Sequence, residues 1–506
     1  MDSCDAVQQD LEAALASPAA CGTGALLAAR DRSRALGEPA CASPNLALHG
    51  LKLPGTPPAR PRQAPPLPAE KTTRDVLAPV LSTYETPNFA VRYGPGIVDA
   101  DASLLRIGSA FEDAWAQEIA GMGYPAPNGS ESYKFNVYVG DTDNGAPESY
   151  GTSGYYYVDD AGYGYIVVSL ATVADPEWLR ITAAHEFFHA LQDAAATYPY
   201  EGQGAWYWES GACFIEGVVV PESDDNSAFL AAFSLLPDLP VNYFLYPDGT
   251  LPSLHQYGAF LFLQHLVEVT EGGDPTLLRR SWLEATPTSD PMTVLDGLLQ
   301  EQGDGTLADA FADMAAREST FDWDDEAAYE ASIEAWGGFD APGSTRPSGF
   351  LYGASGSPIG PPDPPHTFGR NHWQVLSAPA AFDLRFLGVD GPDWRVTVST
   401  QTGEVHSHTD VPVSANTATQ RITGVESADE VWITVSAAAG PIDDGTQYDY
   451  TLTLVNADDT DAPDTDEERR ACSCASLSAG PLGMGWLLTG LAAYVVSARR
   501  RSARGI

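Results

Sequence analysis

Residues 183–195 place two histidines and a glutamate in a stretch that is otherwise largely apolar, AAHEFFHALQDAA. Apolar residues surround nearly every side of a helix drawn through this stretch, so the helix is predicted to be buried. His185 and His189 are four residues apart and therefore share one face of that helix. Buried imidazoles and a buried carboxylate need partners, because an unpaired charge in the interior is costly. The chain must therefore fold around a polar centre inside its own core.

A divalent metal ion would satisfy this polar centre. Two histidines at this spacing can reach one ion, and Glu186 is placed to hold a water on the ion rather than the ion itself. Zinc in such a site makes water acidic near neutral pH and polarises a carbonyl group, which is hydrolase chemistry. One Zn²⁺ is therefore the predicted cofactor. The alternative is a hydrogen-bonded polar cluster without a metal.

A catalytic zinc site needs a third protein ligand. The residues after His189 read ALQDAA, which lacks the glycine and third histidine of the metzincin pattern. Glu209, 20 positions after His189 on a second predicted helix, could complete a site of two histidines and one glutamate. Glu216 follows on the same helical face and is a partner of either histidine, the true ligand or a surface carboxylate. Asp193, one turn after His189, orients a ligand or is exposed.

The arrangement HExxH-x19-E resembles that of the gluzincin metallopeptidases, the thermolysin-like clan. The resemblance implies that His185, His189 and Glu209 bind zinc. It also implies that Glu186 is the general base, activating a zinc-bound water that hydrolyses peptide bonds. In that group an acid four residues after the glutamate ligand supports the site, whereas this chain has Cys213 there.

Peptide hydrolysis also needs a hydrogen-bond donor for the tetrahedral oxyanion. The candidate segment is HQYG at residues 255–258, at a predicted helix start. Gluzincins that resemble aminopeptidases carry a tyrosine three residues before such a glycine. Here His255 takes that place and Tyr257 is adjacent, so His255 is favoured as the oxyanion donor. For each of the two residues, the alternative is a helix-start residue without a catalytic role. No exopeptidase anchoring motif is evident, which favours an endopeptidase.

Hydrophobic periodicity predicts the elements around the motif. Residues 101–122 are predicted to be a helix whose apolar stripe includes Leu105 and Ile119. The strand predicted at 163–168 is expected to present an edge to an extended peptide. Further strands are predicted at 89–93, 135–139, 154–158, 372–376, 382–387, 394–399, 431–435 and 448–455. Further helices are predicted at 175–196, 206–218, 257–270, 275–285, 291–301 and 307–317.

These elements predict five segments in chain order. They are a leader or pro-segment with a Pro-rich linker (1–75), a catalytic domain (76–335), a linker (336–365), a β-sandwich (366–456) and a terminal segment (457–506). The catalytic domain comprises a sheet with the zinc helix (76–196) and a helical subdomain (197–335). With the resemblance, the predicted fold class is an α+β zincin-like domain followed by a small all-β sandwich and a C-terminal transmembrane or sorting segment.

The terminal segment carries an acidic spacer, Cys472 and Cys474 in a Cys-Ser-Cys, and an uncharged stretch over residues 471–498. Such a stretch is long enough to span a bilayer, and the arginines from 499 onward predict that its end is cytoplasmic. The whole chain resembles secreted metalloproteases of myxobacteria that end in a Cys-containing C-terminal sorting tail. The resemblance implies a bacterial cell-envelope or extracellular location, with sorting or processing machinery acting near Cys472 and Cys474. A buried hairpin helix is the alternative.

The net charge of the chain limits the classes of partner that it can bind. Sixty-nine acidic residues against 26 lysines and arginines give a net charge of −43, which repels nucleic acid. The expected partners are a protein or peptide substrate and, through the C-terminal segment, a membrane. Residues 140–145 (GDTDNG) resemble a loose turn for Ca²⁺ but lack the glutamate at loop position 12, and a solvated turn is the alternative.

Three hypotheses follow for function. The first is a secreted or surface-tethered zinc metallopeptidase, with endopeptidase activity. The second is a catalytically inactive surface or adhesion protein built on a metallopeptidase scaffold, which binds through its β-sandwich. An intact Glu186 argues against the second. The third is a cytosolic protein, supported by the start MDSCDAVQQD, which lacks the features of a secretory signal.

Overall fold

The computed structural model describes residues 71–323, 329 and 347–456, with short internal gaps. The gaps fall at residues 76, 150–152, 196–197, 201, 224–228, 247–249, 271–274, 287, 354–355 and 440–445. The described residues form a mixed α/β structure with several sheets. They divide into two compact units, of which the first comprises residues up to 233 and 242–307, and the second 234–241 and those from 308 onward.

The sheet of the first unit has five strands in the order β1-β2-β3-β5-β4. β2, β3 and β5 run parallel, while β1 and β4 are antiparallel to their neighbours. Almost every residue of β2 to β5 is buried, as expected for strands covered on both faces. The strands are β1 (Ser82–Glu85), β2 (Phe89–Tyr93), β3 (Phe135–Val139), β4 (Gly154–Val158) and β5 (Gly164–Val168).

The position of β5 corrects one expectation. β5 pairs with β3 on one side and β4 on the other, so the predicted strand at 163–168 lies inside the sheet. The edge is β4 instead, because the chain makes an antiparallel hairpin through residues 159–163 and places β4 last in the sheet. β4, rather than β5, is therefore the last strand on that side of the sheet.

Helix α3 begins where the sequence predicts. The side chain of Asp175 accepts hydrogen bonds from the backbone N–H groups of Glu177 and Trp178, at 3.1 and 3.2 Å, which caps the first turn. Every residue from Ile181 to Gln192 is buried. The α-helices among the described residues are α1 (Ala100–Trp115), α2 (Leu170–Ala174), α3 (Pro176–Ala195), α4 (Ala205–Val219), α5 (Leu230–Ser234), α6 (His255–Gly258), α7 (Phe260–His265), α8 (Thr276–Glu284), α9 (Pro291–Gln302) and α10 (Leu307–Glu318).

The helix predicted at 101–122 changes character along its length. It is α-helical as α1 and continues as a π-helical turn over Ala116–Gly121. Its buried face includes Leu104, Ile107, Phe111 and Ala114, whereas Leu105 is 63% exposed. The predicted stripe was therefore wrong at Leu105, which points to solvent.

The second unit contains two sheets that share one hydrophobic core. Five strands are ordered β10-β9-β12-β7-β6 and three are ordered β11-β8-β13. Core residues come from both sheets, among them Trp373, Ile433, Phe386 and Leu452, as in a β-sandwich. The strands are β6 (Gly349–Tyr352), β7 (Arg370–Leu376), β8 (Ala381–Gly388), β9 (Trp394–Thr402), β10 (Val405–Val411), β11 (Thr417–Thr423), β12 (Glu430–Ala437) and β13 (Tyr450–Asn456).

The second unit also takes in residues that the sequence assigns elsewhere. Segment 234–241 and residues 308–323, predicted within the helical subdomain, group with the β-strands. Most of the leader, part of the predicted linker and the whole segment 457–506 lie outside the described residues, including Cys472, Cys474 and the predicted span. Within the described part of the chain, no helix is both long enough and apolar enough to cross a membrane.

Candidate metal centre

Helices α3 and α4 bring together the histidines and the distant glutamate. The helices approach closely at Gly211, where a Cβ atom would come to 3.2 Å from Nε2 of Gln192 and 3.3 Å from the ring of Phe188. The imidazoles of His185 and His189 have their ring centroids 4.8 Å apart and are nearly perpendicular, at 86°. Glu209 projects from α4 into the space beside both rings.

One carboxylate oxygen faces both imidazoles. Oε2 of Glu209 lies 3.4 Å from Nε2 of His185 and 3.8 Å from Nε2 of His189. Both distances exceed the usual range of about 2.7–3.2 Å for a hydrogen bond. His189 and Glu209 have no solvent exposure and His185 is 7% exposed. The three predicted ligands therefore converge within the core, as the spacing indicated.

Gln192 orients His189. Oε1 of Gln192 lies 2.7 Å from Nδ1 of His189, and its amide nitrogen donates to the carbonyl oxygen of Trp208 at 3.0 Å. Because the amide nitrogen is committed to Trp208, the oxygen faces the imidazole and Nδ1 must carry the proton. Burial lowers the pKa of His189 to about 4, so the ring is neutral at pH 7. Its Nε2 therefore presents a lone pair towards Glu209.

Glu216 orients His185 in a similar way. Its Oε1 lies 2.5 Å from Nδ1 of His185. Burial raises the pKa of Glu216, and the hydrogen bond to His185 works against that rise. With Glu216 ionised, Nδ1 donates and Nε2 of His185 also presents a lone pair towards Glu209. Of the alternatives open for Glu216, the geometry corresponds to a partner that orients His185.

Tyr200 completes the support of the third ligand. Its hydroxyl donates to Oε1 of Glu209, and both residues are fully buried. Burial raises the pKa of Glu209, but contact with His185, the proximity of His189 and the Tyr200 hydrogen bond outweigh it, so the pKa lies below its ordinary value. Glu209 is therefore held as a carboxylate.

A divalent cation fits this set of groups. Two lone pairs and a carboxylate oxygen converge, and Oε2 of Glu209 is enclosed and accepts no hydrogen bond from the residues that the structure describes. Three acceptors facing one another are unfavourable unless something positive lies between them. Each also has a partner on its far side, as is typical of metal ligands. Two imidazoles and one carboxylate are the donor set of catalytic zinc sites.

A second convergent group shares His185. His185, Cys213 and Glu216 also have atoms close enough to hold an ion. This group fits a metal less well, because Nδ1 of His185 is already bonded to Glu216. Burial also raises the pKa of the Cys213 thiol well above its ordinary value, whereas a metal-binding cysteine must be a thiolate.

Glu186 lies between its helix and the edge of the sheet. It is 1% exposed, and a Cβ atom at Gly154 of β4 would come to 3.4 Å from its Cγ. A glycine at this position leaves room for the Glu186 side chain next to the edge strand. The predicted general base therefore lies beside β4.

The remaining predicted residues lie in other surroundings. Asp193 accepts a hydrogen bond from the Tyr156 hydroxyl at 2.9 Å, which ties α3 to β4, while Gln192 takes the role of orienting a ligand. His255 packs with the rings of Phe233 and Tyr243 at 5.1 and 5.7 Å.

Tyr257 stacks on Phe229, with ring centroids 5.0 Å apart. His255 and Tyr257 are both buried in this aromatic layer, so an oxyanion role for either stays a prediction. In the loop at 140–145, the carboxylate of Asp141 is bonded to Ser149. Within the described part of the chain, no three acidic, cysteine or histidine side chains converge there, and Ca²⁺ also stays a prediction.

Three residues that the sequence did not single out belong to this region. Gln192 follows His189 by three residues, a spacing that could have suggested it. Tyr200 lies in the connection between α3 and α4 and carries no comparable signal. Glu118 is fully buried on the π-helical turn, and its sequence signal is a charge in register with the buried positions Phe111 and Ala114.

Comparison with protein-family models identifies a family for this chain. A family model, described as a family of unknown function (DUF6055), matches residues 98–353, or 256 of the 506 residues. The matched region contains His185, His189 and Glu209 together with the residues that orient them. No curated protein matches the chain. Because the family model covers more than half of the sequence, the chain belongs to the DUF6055 family.

Proposed function

We propose that this protein is a zinc metallopeptidase of gluzincin type, secreted or tethered to the cell surface, that cleaves internal peptide bonds. The observation that carries the proposal is the convergence of Nε2 of His185, Nε2 of His189 and Oε2 of Glu209 in the buried core. A compact hydrogen-bonded cluster without a metal would bring these atoms to about 2.7–3.2 Å. Here the nitrogen–oxygen distances are 3.4 and 3.8 Å, and the hydrogen bonds of His189 to Gln192 and of Glu209 to Tyr200 lie on the outer side.

The ligands would be His185, His189 and Glu209. A zinc ion bound there supplies a Lewis acid that polarises a peptide carbonyl and makes water acidic near neutral pH. Glu216, Gln192 and Tyr200 keep the three ligand side chains in place before any ion arrives. Such pre-organisation reduces the entropy lost when a ligand set closes on an ion.

Glu186 would act as the proton carrier. It follows His185 directly, so its carboxylate emerges next to the ligand face of α3. A Cβ atom at Gly154 would come to 3.4 Å from Cγ of Glu186, so the carboxylate lies next to β4, the last strand on that side of the sheet. In that role the carboxylate takes a proton from the attacking water and later delivers it to the leaving amine.

The test is metal analysis of the purified chain combined with a casein or peptide-library assay. We expect about one zinc per chain and cleavage that a chelator abolishes. Glu186→Gln should keep the zinc and lose about 100- to 10,000-fold in turnover, because general acid–base catalysis contributes that much. Glu177→Gln is the matched control, since Glu177 is exposed in the first turn of the same helix and should retain full activity.

Two results would contradict the proposal. One is peptide cleavage that survives Glu186→Gln at the wild-type rate. The other is a purified chain that binds zinc no more tightly than the double variant His185→Ala, His189→Ala. Retained zinc with no cleavage of any peptide in the library, in the wild type, would favour the inactive surface protein instead.

A further inference from the structure

Glu118 is a buried acid that the proposed reaction leaves unused. It lies on the π-helical turn Ala116–Gly121 that follows α1, and its side chain has no solvent exposure. Neither of its carboxyl oxygens has a hydrogen-bond partner among the residues that the structure describes. Such a group is costly to bury, so a fold that keeps it there calls for a physical reason. π-helical turns are rare and are frequent at functional sites.

The neighbours of Glu118 on both sides contact the HExxH turn. Trp115, three residues earlier, packs on Phe187 with ring centroids 5.6 Å apart. Tyr124 packs edge-on against Phe188 at 5.0 Å, and its backbone N–H donates to the carbonyl oxygen of Glu118 at 3.2 Å. The turn that carries Glu118 therefore packs against the segment that carries the two histidines.

Electrostatics connect Glu118 to one ligand in particular. Burial raises the pKa of Glu118 well above its ordinary value, and a positive charge at His185 would act in the opposite direction. A positive charge near His185 would therefore stabilise the Glu118 carboxylate, and the carboxylate would in turn stabilise that positive charge. Charges interact strongly here because the effective dielectric constant of an enclosed site is low.

We infer that Glu118 is a positioning residue of the metal centre: it lies outside the ligand set, and its carboxyl group brings negative charge close to a divalent cation held by His185, His189 and Glu209. The three ligands supply one formal negative charge against the two positive charges of such a cation, so further carboxylates near the site stabilise it. Glu216 acts in this way from α4, beside His185, and Glu118 would add to it from the π-helical turn. The inference rests on the proposed metal site, but it does not depend on peptidase activity.

The experiment measures zinc affinity of the full chain by competition with a chromogenic chelator, together with the melting temperature of the zinc-free protein. Glu118→Gln keeps the shape of the side chain and removes its charge. We expect zinc to bind roughly 10- to 100-fold more weakly, the range seen when groups that support metal ligands are changed. The zinc-free variant should melt at the wild-type temperature or above, because an unpartnered buried acid has been removed.

Glu112→Gln is the matched control, because it makes the same change on α1. The Glu112 carboxylate accepts hydrogen bonds from Thr86 and Asn88, so this variant should lower the melting temperature and leave zinc affinity unchanged. Glu118→Asp retains the charge and should recover part of the affinity that Glu118→Gln loses.

The outcomes separate the two proposals. If the wild type binds zinc and Glu118→Gln binds it equally tightly, the role of Glu118 is overturned and the proposal of a metal site is unaffected. A wild type that binds no zinc overturns the metal site and this inference together. If Glu118→Gln does not fold, Glu118→Asp and Glu118→Asn form a pair that differs only in charge, and equal zinc affinity in these two variants overturns the inference.

Discussion

Removing one hydroxyl tests whether the convergent groups are arranged for a metal. Tyr200 donates to the oxygen of Glu209 that faces away from the histidines, and both side chains are fully buried. Tyr200→Phe removes this donor and little else, since the ring can keep its edge contacts with Trp208 and Phe244 at 5.7 and 5.6 Å. The carboxylate then loses this hydrogen bond on its outer side.

The magnitude follows from the charge on Glu209. A hydrogen bond to an ionised group contributes about 1.5–3 kcal/mol. Since about 1.4 kcal/mol corresponds to a tenfold change in an equilibrium constant, zinc affinity should fall by roughly 10- to 100-fold. Loss of the donor also raises the pKa of Glu209, because the Tyr200 hydrogen bond is one of the interactions that lower it. As pH falls, the variant should therefore release zinc at a higher pH than the wild type does.

Competition with a chromogenic chelator, at several pH values, measures both effects. Tyr198→Phe is the matched control: Tyr198 is also a buried tyrosine of the connection between α3 and α4, but it donates to the carbonyl oxygen of Ser281 at 2.8 Å. It should lower stability without changing zinc affinity. Equal zinc affinity in the wild type, Tyr200→Phe and Tyr198→Phe would refute the argument that Tyr200 supports a metal ligand.

Two further predictions concern other parts of the chain. In the second unit, burial raises the pKa of Glu318, but Arg370 and His372 outweigh it and bring the pKa to about 2 from 4.5. This depressed pKa adds on the order of 3 kcal/mol to the free energy of unfolding above pH 4.5, and that contribution is lost as the pH falls towards 2. Urea unfolding measured from pH 6 to pH 3 should show the loss in the wild type and not in Glu318→Gln. In the first unit, Gly154→Ala places a Cβ atom 2.8 Å from the carbonyl oxygen of Val167 and 3.4 Å from the side chain of Glu186. It should reduce turnover and lower stability by about 1–3 kcal/mol, with zinc content retained; wild-type turnover would contradict the placement of Glu186 beside β4.

Local pattern was sufficient for most of the elements. The strands at 89–93, 135–139 and 154–158 and the start of the helix at Pro176 were predicted where the structure has them. Each carries its own signal, either buried β-branched and aromatic residues or a capping aspartate, and needs no information from distant residues. The spacing of His185 and His189 likewise guarantees a shared helix face.

Local pattern failed where a strand has few apolar residues. β10 (VHSHTDV) and β11 (TATQRIT) were not predicted. Each is the edge strand of its sheet, so one side lacks a neighbouring strand and polar side chains are tolerated along it. The helix predicted at 257–270 is also interrupted, since it divides into α6, α7 and a π-helical turn over Leu266–Thr270.

The candidate metal centre, too, was predictable from local pattern only in part. The shared face of His185 and His189 follows from the sequence, because the geometry of a helix is a property of neighbouring residues. Glu209 was predicted from its distance along the chain and the gluzincin resemblance, and Glu216 as a partner of either histidine. That Glu216 contacts His185, and that Tyr200 donates to Glu209, depends on the packing of separate segments and on how side chains fill the space between them, not on any period along the sequence.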